Sequence, residues 1–418
     1  QLSEDVGRSD WYLRLLRDTG IVAERLAKLL SSSRYAVPLL RRDPAMLQLL
    51  GDDNELTPRT HDDLMVAFTS IVERHERPDT AIAALRALRR RELFRIAMGD
   101  VGQVVSTPQV GQGLSDLAGA TIDAALRIAA SENPDTPPIA VIAMGRWGGG
   151  ELGYSSDADC MFVVPDDVSD AGLAAAIATV ARMRELLKQP GPDPALEIDA
   201  DLRPEGRDGA LVRTLSSYLK YYQRWSLTWE SQALLRAAAG AGDLALAEEL
   251  LAAINEIRWP AGGLDDAGVR EVRRLKIRVD RERGGQLRER NLKLGPGGLA
   301  DIEWTVQLAQ LRYAHQIPEL RVTSTQLALN ALVNAGLFTA TEVADLGAAW
   351  VRASQMRNAV MLVRGRASDQ IPTDARDIAA VAMLLGYGKS EASKLLDDWA
   401  RISRRATAVV DRHFWGVS

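Results

Sequence analysis

Residues Gly145–Asp159 read GRWGGGELGYSSDAD, and the fold turns on what this stretch is. It contains a G-x-G-x-x-G (Gly148, Gly150, Gly153), and shortly after it Asp157 and Asp159 stand one residue apart. A dinucleotide-binding turn needs such glycines to open a helix, with an acidic residue about 20 positions on for the ribose. Here the loop runs instead into YSSDADCMFVV, which reads as strand, and no G-K-[ST] follows as in ordinary phosphate loops. The context therefore fails for hydride chemistry. On a strand, Asp157 and Asp159 share one face while Ala158, Cys160 and Phe162 take the other.

Working outward, PIAVIAMG (138–145) before the loop and DADCMFVV (157–164) after it are short apolar runs of strand character. ALEIDADLRP (195–204) is a third. It alternates Leu196, Ile198, Ala200 and Leu202 against Glu197, Asp199 and Asp201. The segment 171–189, AGLAAAIATVARMRELLKQ, has helical periodicity. Before about 130 the chain reads as helices, including WYLRLLRDTGIVAERLAKLL (11–30) and TAIAALRALRRRELFRIAMGD (80–100). From Ser216 helices return, SYLKYYQRWSLTWESQALLRAAA among them. The expected fold is mainly α with a small α/β core, a mixed sheet flanked by helical domains. Its division is 1–130 (helical), 131–250 (catalytic core) and 251–418 (helical bundle).

Three or more carboxylates converge if the second and third strands are neighbours. Hard Mg²⁺ prefers such oxygen ligands, and two ions about 4 Å apart can bridge a triphosphate. Glycines let backbone N–H groups approach phosphate with no Cβ in the way. The bland alternative is a solvated acidic strand face, which an isolated D-x-D would favour. The linkage of strand, glycine loop, D-x-D and acidic strand favours a site.

Composition narrows the function further. A net charge of −5 argues against nonspecific binding to nucleic acid or acidic membranes, and no apolar run is long enough to span a bilayer. The single cysteine, Cys160, lies in an apolar run and suits a small core residue in a reducing cytoplasm. Four scattered histidines give no zinc spacing. The first residue is not Met, which suggests a piece of a longer polypeptide.

These linked motifs resemble the nucleotidyltransferases with a DNA-polymerase-β-like core. Within them, GRWGGGELGYSSDADCMFV, IDADLRPEGRDGALV and YYQRWSLTWESQALLRA are similar to the glutamine synthetase adenylyltransferase/deadenylylase family. LRALRRRELFRIAMGD and NLKLGPGGLADIEWTVQ extend the resemblance to about residues 20–410. The resemblance implies one half of a two-half enzyme, and DIEWTVQLAQLRYAHQIPEL looks like the adenylylating, C-terminal half. It implies Mg²⁺-dependent transfer of AMP from ATP to a tyrosine of glutamine synthetase, regulating nitrogen assimilation in the cytoplasm. PII signalling protein and glutamine are the implied regulators. The alternatives are the phosphorolytic deadenylylase half and a non-catalytic docking module.

Carried over by motif, Asp157, Asp159 and Asp199 are the catalytic, metal-binding carboxylates. Gly148, Gly149, Ser156 and Arg203 fall among the nucleotide contacts. Arg203 could equally brace the carboxylates. The sequence departs from the family pattern in several places. Asp201 stands where arginine is usual, Gly150 replaces a basic residue, Trp147 replaces leucine, and Ala238 stands where a second arginine often follows Arg236. Residues 270–293 carry ten basic and four acidic side chains, either a solvated helix or a basic wall. Asp301 and Glu303, after Gly297 and Gly298, are expected to contribute to the cleft without an assigned role.

Overall fold

The computed structural model describes residues 20–191, 193–225, 227–283 and 288–417. Of the helix read over 11–30, residues 11–19 lie outside the described residues. The N-terminal helices are α1 (Gly20–Ser32), α2 (Ala36–Arg42), α3 (His61–Arg74), α4 (Pro78–Val101) and α5 (Thr107–Ser131). Local chemistry starts them. Thr60 Oγ1 accepts the Asp63 N–H at the head of α3, and Ser106 and Gln109 form a capping box on α5. Small residues let α5 run close beneath the sheet: a Cβ on Gly119 would lie 3.1 Å from the Gly240 carbonyl.

The sheet has five strands: β1 (Ala140–Ala143), β2 (Ala158–Val164), β3 (Ile198–Asp199), β4 (Val212–Thr214) and β5 (Ala238–Gly242). Its order is β3-β2-β1-β5, with β4 also on β2. β1 runs antiparallel to β2 and β5, whereas β3 and β4 are parallel to β2. After β1 comes the single turn α6 (Gly145–Gly148), and after β2 comes α7 (Asp170–Lys188). That helix supplies the crossover a parallel β2–β3 pair requires.

Alternation along the strands divides two cores. Val141, Ala143, Cys160, Phe162 and Val164 join a large core extending from Val22 to Phe414. Ala140, Ile142, Met161 and Val163 face a smaller one built with Leu215, Tyr218, Tyr222 and Leu250. Asp159 shares this second face, at the end of β2.

The sequence reading differs from the structure in several places, β4 among them. The third strand is only two residues long, because the chain turns at Ala200–Arg203. The stretch read as one helix from Ser217 is α8 (Leu215–Trp225) and α9 (Thr228–Leu234), and its alanine tail becomes β5. β5, AAGAG, has no β-propensity to reveal it. Gly240 is needed there because the Trp147 ring would lie 2.9 Å from a Cβ.

Further helices complete the chain: α10 (Leu244–Ala253), α11 (Asn255–Arg258), α12 (Asp266–Arg283), α13 (Leu299–Tyr313), α14 (Thr325–Asn334), α15 (Ala340–Arg364), α16 (Ala375–Leu384) and α17 (Ala392–Val410). None of the described helices is long and apolar enough to cross a membrane. The fold is mainly α with a small mixed α/β core. Because the helices on both sides share one core with the sheet, we propose the divisions near 130 and 250 as changes of element type rather than separate cores.

Candidate active site

The parallel pairing of β2 with β3 sets Asp159 directly opposite Asp199. Asp157 precedes β2 by one residue, and the neighbouring Ala158 N–H donates to the Glu197 carbonyl at 2.9 Å. Asp199 Oδ1 accepts the Asp201 N–H at 2.7 Å, which orients it. Burial and then the Asp199 charge push Asp159 up to about 6. Burial and then Glu197 and Asp199 push Asp157 upward as well. No Lys, Arg or His pairs with Asp157, Asp159 or Asp199 among the described residues.

Uncompensated, mutually repelling carboxylates with hard oxygen donors fit a divalent cation such as Mg²⁺. Among the described residues, no three His, Cys, Asp or Glu side chains are grouped closely enough to hold a metal ion as they stand. Asp201 lies apart from this cluster: its Oδ2 is 2.5 Å from Arg207 Nε and its Oδ1 3.8 Å from Arg203 Nη1.

Buried Arg203 spends all three nitrogens on backbone. Nε donates to the Gly209 carbonyl (3.0 Å), Nη1 to Ala200 (2.7 Å) and Nη2 to Arg207 (2.8 Å). It braces the loop after β3. Ser156 Oγ accepts the Gly153 N–H at 3.0 Å and closes the turn ahead of Asp157.

The glycines have a different physical reason from the one read in sequence. A Cβ on Gly148 would lie 1.8 Å from the Arg236 carbonyl, and one on Gly149 would lie 2.1 Å from Arg236 Nη2. Their N–H groups already donate to the Met144 and Gly145 carbonyls, at 2.9 and 3.3 Å. Gly148 and Gly149 are glycine because Arg236 passes through the loop, whereas Gly150 (φ +68°) would set a Cβ 2.4 Å from Gln112 Oε1. Gly148→Ala is accordingly expected to cost about 3 kcal/mol, read as a lower urea midpoint. An unchanged midpoint would contradict this packing.

Arg236 anchors a buried network that the sequence did not reveal. It pairs with Glu151, and its Nη1 lies 3.6 Å from Glu303 Oε2. Glu151 also accepts the Thr325 N–H (2.6 Å) and the Thr325 (3.0 Å) and Ser324 (3.2 Å) hydroxyls. Glu303 Oε1 lies 3.0 Å from Arg146 Nη1. Burial opposes the charge of Glu303, yet Arg236, Arg146 and Lys293 outweigh it and hold the carboxyl below its usual range. The unassigned Glu303 thus ties the glycine loop to α13. Asp301 does not reach it, and pairs instead with buried Lys276 at 2.7 Å.

The arginine-rich α4 also has a task. Arg86 donates to the Gln189 (2.8 Å) and Asp193 (2.7 Å) carbonyls, Arg89 donates to Pro194 (2.7 Å), and Arg90 pairs with Asp193. These side chains strap down the segment leading to β3 and Asp199. Periodicity cannot show this, since the partners lie about a hundred residues away.

The comparisons agree with this architecture. The family model described as glutamate-ammonia ligase adenylyltransferase matches residues 23–253, and that described as GlnD PII-uridylyltransferase matches residues 271–416. Both descriptions are of nucleotidyl-transferring enzymes. This chain belongs to the glutamate-ammonia ligase adenylyltransferase family. It is 51% identical to a Cutibacterium acnes protein named bifunctional glutamine synthetase adenylyltransferase/adenylyl-removing enzyme, over 99% of this chain and 42% of the relative. Similarly named proteins of Streptomyces avermitilis (48% identical, 100% of this chain, 44% of the relative) and Mycolicibacterium smegmatis (46%, 100%, 43%) also match. The chain spans about two-fifths of the length of these curated relatives.

Proposed function

We propose that this chain transfers AMP from ATP to a tyrosine hydroxyl of glutamine synthetase, as the adenylylating half of the longer enzyme. The observation that carries the reading is Asp159 set in register with Asp199 beside Asp157, within a chain of this family. The tyrosine oxygen attacks the α-phosphorus in line. The bond from that phosphorus to the bridging oxygen breaks, and pyrophosphate leaves. The tyrosine proton passes to a carboxylate, for which Asp199, oriented by the Asp201 N–H, is the best placed. Mg²⁺ held by Asp157, Asp159 and Asp199 supplies charge neutralisation at the phosphates when bound. The rest is positioning: α4 holds the approach to β3, and Arg236 with Glu151 and Glu303 holds the glycine loop. PII protein and glutamine belong to this proposal as regulators, and the cytoplasm as its place.

Two incubations test it. Labelled ATP with unmodified glutamine synthetase should yield labelled synthetase, whereas phosphate with adenylylated synthetase should release little ADP. Product only in the second incubation would assign the phosphorolytic half, and product in neither would leave a docking module.

A further inference from the structure

The three candidate carboxylates are not held in the same way. The β2–β3 register fixes Asp159 and Asp199 through the backbone. Asp157 lies one residue ahead of β2 and is exposed, so its place depends on the loop that delivers it. The end of that loop is a closed turn. The Ser156 N–H donates to the Gly153 carbonyl at 3.1 Å, and the Gly153 N–H donates to Ser156 Oγ at 3.0 Å. A closed turn is rigid within itself but still has to be fixed to the rest of the molecule.

Tyr154, inside this turn, makes that connection. Its Oη donates to Asp100 Oδ2 at 3.1 Å, across to the last turn of α4. Its ring lies 5.5 Å from the ring of Tyr35, tilted at 54°, a geometry in which aromatic pairs attract. Burial pushes the Asp100 carboxyl up to about 6, and the Tyr154 hydroxyl opposes that push, so the bond is stronger than one at the surface. Gly153 meanwhile runs close to α15, where a Cβ would lie 3.1 Å from Asn358 Oδ1. The position of Asp100 on α4 gives the contact its meaning. The same helix, through Arg86, Arg89 and Arg90, straps the segment leading to Asp199. Asp100 follows Arg90 at a distance of about 15 Å along the helix axis. One rigid element therefore holds the approach to β3 and the approach to β2. Mg²⁺ demands near-ideal ligand placement, so such a brace bears directly on affinity.

We propose that Tyr154, anchored by Asp100, is a positioning residue for Asp157, setting this carboxylate against the pair that the β2–β3 register fixes. The inference rests on the nucleotide-transfer reading. Its test is titration of the full chain with Mn²⁺, standing in for Mg²⁺, followed by electron paramagnetic resonance of the free ion. Tyr154→Phe removes only the hydroxyl, and Asp100→Asn keeps an acceptor oxygen where Asp100→Ala does not. Tyr154→Phe and Asp100→Ala should each weaken Mn²⁺ about tenfold, Tyr154→Phe at an unchanged melting midpoint. Asp100→Asn should stay within about threefold of wild type. Tyr154→Phe with Asp100→Ala should bind no more weakly than either single variant, because both remove the same bond.

Wild-type Mn²⁺ affinity in Tyr154→Phe overturns the proposal. So do losses that multiply in the double variant, an Asp100→Asn chain as weak as Asp100→Ala, or a loss in Tyr154→Phe that follows a lowered melting midpoint. A wild type that binds no Mn²⁺ overturns it too, and AMP transfer is then judged by its own assay. The expected pattern of Mn²⁺ affinities without AMP transfer in either direction would sink the proposed function alone.

Discussion

Asp157→Asn combined with Asp159→Asn should lower AMP transfer by roughly 10³-fold or more while leaving the chain folded. The substitution keeps the shape of both side chains and removes the charge for which nothing else in the cluster substitutes, because Asp201 is engaged with Arg207. The same variant should be more stable than wild type when divalent cations are chelated. In the folded chain burial and Asp199 push the Asp159 carboxyl from 3.8 to about 6, so the folded state holds its proton more tightly than the unfolded state. Stability from this group is therefore present at low pH and is lost as pH rises from about 4 through about 6. The loss is on the order of 3 kcal/mol. Chelated wild type should thus show a falling urea midpoint across that window, and the double asparagine variant a flatter one. Added Mg²⁺ should restore the wild-type midpoint at pH 7 and leave the variant unmoved. A Mg²⁺ response of equal size in both proteins would place the cation elsewhere.

Glu151→Ala should destabilise the chain by about 3–5 kcal/mol, the largest stability loss expected from a single polar side chain here. It strips buried Arg236 of its nearest carboxylate and leaves the Thr325 N–H without its 2.6 Å acceptor. Arg236→Met should cost a comparable amount by leaving Glu151 and Glu303 facing one another. The two losses should not add, because each removes the same pair. A double variant as unstable as the sum of the singles would show that the residues act independently. The network joins the glycine loop to α13 and α14, so transfer activity should fall in each single variant even at temperatures where it remains folded.

The alternation that places the candidate carboxylates was legible in the sequence because it is local. Alternation places Asp159 on one face of β2 and Ala158, Cys160 and Phe162 on the other, apolar one, with Asp157 just ahead of the strand. Asp199 follows the same rule on a second strand. Linked motifs then carried the family. Gly148 and Gly149 were legible as unusual but not in their cause, which is the passage of Arg236, 87 or 88 positions away along the chain. The short strands β4 and β5 were silent because they borrow their order from neighbours rather than from their own side chains.

By itself, the sequence determined the strand that follows the glycine loop and the mainly helical class, since each depends on periodicities of a few residues. Only the tertiary structure decided that Asp159 faces Asp199, that Arg203 serves a loop, and that Glu151, Arg236 and Glu303 form one buried network. Those relations are set by where distant segments pack, and charge and hydrogen bonding act through space rather than along the chain.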